Sequence, residues 1–141
     1  MNIFIISIIL IFLIGSISLA MPSKQTKELA AFRLLAAKSG FRIETLSLKK
    51  RFKNFTQGLE IYTFKNSSVF RQGHFIFTDA GWNLYDPISL KQDPNFENLK
   101  KLISKFPKPV LEIIFFESNI AFLWKEKKDL EMLEHIKSIF N

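Results

Sequence analysis

The chain opens with a long apolar run and then changes abruptly to a mixed pattern. Residues 3 to 21 carry no charged side chain, and their hydroxyl groups are those of Ser7, Ser16 and Ser18. At about 1.5 Å per residue, a helix of this length nearly matches a bilayer's hydrocarbon core of about 30 Å. The pattern therefore predicts a transmembrane helix, with residues 1–21 as a membrane anchor.

The apolar positions that follow recur at helical spacing. Ser23 is suited to be the N-cap, and Gly40 is well placed to end the helix in a left-handed conformation. The residues expected on one apolar stripe are Leu29, Phe32, Leu35 and Ala36, widened by Ala31 and Leu34. This pattern predicts a basic amphipathic helix over residues 22–40.

From residue 41 onward, apolar and polar residues alternate in short runs that are typical of strands. Strands are expected over 41–45, 59–64, 74–78, 110–116 and 120–125, the last two as a hairpin. Helices are expected over 95–106, with Asp93 as N-cap, and from Asp129 to the end, whereas 79–87 has the composition of a loop. The sequence predicts one α+β domain over 41–141, with an antiparallel sheet and the order α-β-β-β-α-β-β-α counted from the amphipathic helix.

The net charge of +7 is concentrated beside the apolar run. Residues 22–53 hold nine Lys or Arg and two acidic residues, whereas the rest of the chain is neutral. Basic residues next to a membrane attract anionic lipid, at about 1 kcal/mol each. The residues expected to contact lipid headgroups are Lys24, Lys27, Arg33, Lys49, Lys50, Arg51 and Lys53.

The charge distribution also predicts a topology. Lys24, Lys27 and Arg33 follow the apolar run closely, and no basic residue precedes it. The positive-inside rule therefore places the N-terminus outside and the domain in the cytoplasm of a bacterial inner membrane. The alternative is a signal peptide cleaved after Ala20, which would release a secreted or periplasmic domain.

No sequence pattern indicates catalysis. The chain has no cysteine, and its two histidines, His74 and His135, show no metal-binding spacing. It also lacks a nucleophile elbow and a glycine-rich phosphate loop. We therefore expect no enzyme activity, no metal and no cofactor, and a structural role for both histidines.

Two stretches are candidates for binding. Residues 49–55 interleave basic residues with Phe52 and Phe55, which suits lipid headgroups or, as the alternative, stacked bases of single-stranded nucleic acid. Residues 79–87 contain Trp82 and Tyr85, which are expected either to bind a protein partner or to close one end of the sheet.

The sequence around the predicted membrane boundary resembles the YajC family, the small accessory subunit of the bacterial preprotein translocase. The apolar span is followed by Met21-Pro22-Ser23-Lys24, and then by Gly40, Ile43 and Thr45 at the spacing of the family's step into its β domain. Phe41 replaces the family's Asp, and Leu46-Ser47 replaces its Gly-Gly. The resemblance covers residues 21–45 and implies an accessory role beside the translocase without catalytic residues.

These observations together predict a non-catalytic, single-pass membrane-anchored accessory or scaffold protein. Its expected partners are anionic lipid and a membrane protein, which the resemblance suggests is the preprotein translocase. The alternatives are a secreted or periplasmic binding domain and a membrane-tethered nucleic-acid binder.

Overall fold

The computed structural model describes residues 3–44 and 47–141, which form two compact units divided after Ala31. The first unit contains helix α1, Ile3–Ala20, and the start of helix α2, Lys24–Lys38. α1 is long and apolar enough to cross a membrane, and none of its residues is buried. The predicted N-terminal apolar helix is therefore present. The second unit begins at Phe32, so the C-terminal half of α2 belongs to the folded domain.

The ends of α2 follow from local hydrogen bonding. The Ser23 hydroxyl accepts the N–H of Thr26 at 3.2 Å, as an N-cap does. At the other end, the N–H groups of Gly40 and Phe41 donate to the carbonyls of Ala37 and Ala36, and Gly40 has φ +96°. This is a Schellman motif, which requires a left-handed residue at the position that Gly40 occupies.

The apolar stripe of α2 is narrower than its sequence predicts. Phe32 and Ala36 are buried, whereas Leu34 is 58% and Leu35 47% exposed. Leu35 belongs to the predicted apolar stripe but is largely exposed, and the buried side of the helix passes through Phe32 and Ala36.

The second unit is built around a six-stranded antiparallel sheet with the order β1-β2-β6-β5-β3-β4, which confirms the α+β fold class. Its strands are β1 Arg42–Glu44, β2 Glu60–Lys65, β3 Gly73–Thr78, β4 Gly81–Asp86, β5 Val110–Phe115 and β6 Asn119–Trp124. β4 is additional to the predicted order, since residues 79–87 were expected to be a loop. Thr45, the expected end of the first strand, lies outside the described residues.

Two further helices follow the first four strands. α3 spans Phe96–Ile103, and α4 spans Leu130–Ser138 with Asp129 as its N-cap, whose carboxylate accepts the N–H of Met132 at 3.1 Å. The N-cap of α3 is Asn95 rather than the expected Asp93, which instead accepts the N–H of Asn95 in the preceding turn. Short 3₁₀ turns lie at Lys49–Arg51 and Ile88–Gln92.

Both faces of the sheet are covered by apolar side chains. We call one side the aromatic face, because ring-to-ring contacts dominate it, including Phe115 with Phe140 at 5.4 Å and Phe41 with Phe64 at 5.6 Å. The opposite face, the loop face, is covered by the segment that joins β1 to β2. Its cluster contains Phe52, Ile61, Ile114, Ala121 and Leu123, with Leu48, Phe55, Leu59 and Phe116 packed against it.

Candidate functional site

β4 lies at one edge of the sheet and contains two aromatic residues, Trp82 and Tyr85, the second of which lies at a bulge. Trp82 is opposite Phe77, and their rings are 5.3 Å apart. The register shifts between His74 and Phe75, so that Tyr85 has no partner across the pair, and its ring lies 5.0 Å from that of His74. Since His74 and Phe77 are three residues apart on β3, Trp82 and Tyr85 lie on opposite faces.

The expectation that Trp82 and Tyr85 share one loop is therefore wrong. Both belong to an edge strand, where each borders a different cleft. The two residues are three positions apart, and an odd spacing along a strand places side chains on opposite faces.

The cleft on the loop face, which we call the Tyr85 cleft, has a volume of about 440 Å³. Its walls come from the 51–53 segment, the β2–β3 connection and the ends of β4 and β5. The charged and titratable residues that line it are Arg51, Lys53, Arg71, His74, Tyr85, Asp86 and Glu117. Three cationic groups thus border one cavity.

The cationic groups of the Tyr85 cleft are held by neighbouring side chains and backbone. Lys53 Nζ lies 5.1 Å from the centre of the Tyr85 ring, and its hydrogen bond to Tyr85 raises the pKa of the ammonium group. The Arg51 guanidinium lies 5.6 Å from the ring of Phe116, and Arg71 donates to the carbonyl of Glu117 at 3.1 Å. These contacts orient the three groups without pairing any of them with a carboxylate.

A buried carboxylate fixes the wall of this cleft to the sheet. Glu112 on β5 is fully buried, and its Oε2 lies 2.7 Å from His74 Nε2. The same carboxylate accepts the backbone N–H of Lys53 at 3.0 Å and that of Asn54. Glu112 therefore joins three parts of the chain, and His74 is one of its structural partners.

The structure separates the basic residues that were expected to bind lipid. Arg33 forms a bidentate pair with Glu126, at 3.0 and 2.8 Å, and lies 3.5 Å from Glu60. The hydrogen bond to Glu126 raises the pKa of Arg33, and Tyr62 donates its hydroxyl to the same carboxylate. The charge of Arg33 is thus balanced within the domain, which removes it from the lipid-binding set.

The remaining residues of that set are exposed or half-exposed. Lys24 and Lys27 lie on the exposed start of α2, where Lys24 is 3.9 Å from Glu28. Lys49 and Lys50 lie in the 3₁₀ turn before the Tyr85 cleft, and Lys49 Nζ is 4.9 Å from the Phe55 ring.

Phe52 and Phe55, the candidates for base stacking, belong to the core. Phe52 is 5% exposed, and Phe55 packs against the apolar cluster of the loop face. A stacking platform must present its ring faces to solvent. The geometry of Phe52 and Phe55 therefore disfavours the nucleic-acid alternative for residues 49–55.

A second cleft lies on the aromatic face between β4 and α3. This cleft, the Trp82 groove, has a volume of about 690 Å³. Its apolar lining includes Phe77, Trp82, Leu84, Phe96 and Phe106, and its charged lining residues are Lys91, Lys100 and Lys108. Sequence reasoning missed these lysines, as it missed Arg71, because they occur singly and converge only in the folded sheet.

The described residues, 3–44 and 47–141, contain no group of three or more His, Asp or Glu that could hold a metal ion. Comparison of the chain with known protein families, curated proteins and solved structures finds no match. The resemblance to YajC therefore stays a prediction. At its divergent position, Phe41 is 1% exposed and packs among the rings of Tyr62, Phe64 and Phe122.

Proposed function

We propose that the protein is a non-catalytic accessory protein, anchored to a membrane by α1, whose α+β domain binds anionic lipid headgroups and a protein partner. α1 supports the anchor because it is apolar along its length and none of its residues is buried. The proposed topology places the N-terminus outside and the domain in the cytoplasm of a bacterial inner membrane, as the positive-inside rule predicts.

The Tyr85 cleft is the observation that carries the binding proposal. Arg51, Lys53 and Arg71 come from two separate segments and border one cavity. Guanidinium and ammonium groups bind phosphate oxygens through charge-assisted hydrogen bonds. Lys49 and Lys50 on the adjoining turn add positive charge, which outweighs Asp86 and Glu117 in the cleft. A lipid phosphate is therefore the proposed ligand.

Vesicle flotation tests the lipid proposal. The fragment 22–141 is mixed with vesicles of phosphatidylcholine, alone or with phosphatidylglycerol. The bound fraction should rise with phosphatidylglycerol. The partition coefficient onto these vesicles should fall about thirtyfold in the double variant Arg51→Gln, Arg71→Gln, because each basic residue contributes about 1 kcal/mol.

The matched control changes the same amount of charge outside the cleft, in Lys101→Gln, Lys127→Gln, and should bind as the native fragment does. Equal loss in both double variants, or indifference to phosphatidylglycerol, would contradict a site at the Tyr85 cleft. Tight, salt-dependent binding to a single-stranded oligonucleotide, without lipid binding, would favour the nucleic-acid alternative.

A reporter fusion tests the anchor. Green fluorescent protein joined after Asn141 should be fluorescent and should fractionate with membranes at full length. A soluble product that begins at Met21 would contradict retention and support the secreted or periplasmic alternative.

Crosslinking tests the proposed protein partner. A photocrosslinking residue at position 82 should recover a membrane protein, and a translocase subunit would support the family resemblance. Absence of any adduct in intact membranes would count against a partner at this strand.

A further inference from the structure

We propose that β4 binds an extended acidic segment of a protein partner, which adds a strand to the six-stranded sheet and lies along the Trp82 groove. This inference rests on the partner half of the proposed function, and it names the site and the chemical class of the partner. Three independent features support it: the free edge of β4, the apolar lining of the groove and the sign of its charge.

The backbone of β4 is available for pairing. β4 pairs with β3 on one side, and no other strand among the residues described pairs with it on the outer side. Along such an edge, alternate N–H and C=O groups point away from the sheet without partners. An incoming strand can satisfy them, as in β-strand addition.

The two edges of the sheet differ in how they resist pairing. Proteins protect edges with short strands, charged side chains and proline. β1 is three residues long and includes Arg42 and Glu44, so it is protected. β4 has no proline or lysine and no charge before Asp86, and its bulge leaves Gly81–Leu84 in regular register. The unprotected edge is the one beside the groove.

The groove offers apolar contacts to alternate side chains of an added strand. Side chains of a strand point to the two faces in turn, so every second one would enter the Trp82 groove. Phe77 is 42% exposed, and its ring meets the half-buried Trp82 at 5.3 Å. These two rings are suited to contact apolar side chains of the partner.

The charged side chains that line the groove are all lysines. Lys91, Lys100 and Lys108 are exposed, and none of the acidic residues in the described part of the chain lines the groove with them. Lys100 lies 3.7 Å from Glu97, but an exposed pair of this kind contributes little and leaves the lysine accessible. A second copy of the chain would bring its own lysines to the same edge, which opposes pairing of β4 with β4. An acidic segment complements the charge.

A peptide-binding experiment tests the inference on the full chain in nanodiscs of phosphatidylcholine. The probe is a fluorescein-labelled peptide of eight residues with blocked ends, in which every second residue is threonine and the residues between are two valines flanked by two glutamates. The valines and glutamates therefore lie on one face of the strand and can enter the groove together. Binding is followed by fluorescence anisotropy. Two matched peptides are compared with it: one with lysine in place of glutamate, and one with alternate backbone amides N-methylated. Each should bind at least about tenfold more weakly, because the first reverses the charge and the second removes the pairing edge.

Protein variants locate the site. Lys91→Glu, Lys100→Glu, Lys108→Glu together should weaken binding at least about tenfold, whereas Lys65→Glu, Lys125→Glu, Lys127→Glu, with the same change of charge, should not. The peptide should also slow hydrogen exchange of backbone amides within Gly81–Leu84.

Four results would overturn the inference: no binding of the glutamate peptide, equal binding of either matched peptide, equal loss in both triple variants, or a dimer joined through β4. Vesicle flotation separates this inference from the proposed lipid function, because the three groove lysines lie outside the Tyr85 cleft. Lipid binding without peptide binding would refute the inference alone.

Discussion

Glu112→Ala would remove the carboxylate that joins the 51–54 segment to the sheet. In the native domain this side chain is fully buried and accepts hydrogen bonds from the backbone of Lys53 and Asn54, beside its contact with His74. Hydrogen bonds that involve a charged group are worth about 1.5–3 kcal/mol each. Because Lys53 and Asn54 are exposed residues, water can replace part of the loss at their amides.

Water cannot replace the lost hydrogen bond at the ring of His74 in the same way, because this residue is only 9% exposed. We therefore expect the free energy of unfolding to fall by about 3–5 kcal/mol, because three hydrogen bonds to a carboxylate are lost and water replaces part of two of them. Small domains have a total stability of about 5–15 kcal/mol, so the variant would be close to unfolding.

Urea unfolding of the fragment 22–141, followed by tryptophan fluorescence, measures this loss. The fragment is expected to fold because none of the residues of α1 is buried. With a urea dependence of about 2 kcal/mol per molar, the midpoint should fall by about 2 M. Glu117→Ala, which removes an exposed carboxylate two residues beyond β5, should change stability by less than about 0.5 kcal/mol. A loss below about 1 kcal/mol in Glu112→Ala would refute the reasoning, because it would show that the segment holds without the carboxylate.

Three further variants test two local features, the Tyr62 hydroxyl and the Gly40 cap. Burial, together with the hydrogen bond to Glu126, raises the pKa of Tyr62, while the unfolded chain ionises near pH 10. Above pH 10 the unfolded state therefore binds fewer protons than the native state, so the free energy of unfolding should fall by about 1 kcal/mol from pH 10 to 11. Urea titrations at the two pH values measure this fall, and the Tyr62→Phe variant should not show it. Gly40→Ala should cost about 1–2 kcal/mol by the same titration, since φ is +96° and an added Cβ would meet only the flexible end of Lys137, at 3.2 Å. Gly40→Asn should cost less, and an equal cost for both would contradict the left-handed cap.

The sequence predicts those strands whose apolar pattern is regular or continuous. β2 and β6 are buried on both faces and appear as apolar runs bounded by turns. β4 was not predicted, because apolar and polar residues alternate only over Trp82-Asn83-Leu84. The alternation ends at Tyr85, where the bulge lies. A period of two cannot be recognised across an inserted residue.

The candidate sites were predicted only in part. Arg51, Lys53, Trp82 and Tyr85 were identified from composition, because charge and aromatic rings are visible in any sequence. Their distribution into two clefts depends on strand register, which no local pattern contains. Glu112 gave a signal that was missed: it is the single charged residue in the apolar strand β5. Its pairing with His74 depends on the β3–β5 register and could not be inferred.

The strand order constrains when the domain can form during synthesis. The two central strands, β5 and β6, are the last to be made, yet they separate β1–β2 from β3–β4 in the sheet. At about 5–20 residues per second, the ribosome needs several seconds to pass from β2 to β6. During that interval the growing chain holds two strand pairs, β1–β2 and β3–β4, whose inner edges are unpaired. Both edges can pair only when the β5–β6 hairpin has been made. A chaperone or a nearby surface that shields those edges would therefore act before residue 124 emerges, and a chain interrupted before that point would leave the two halves unjoined.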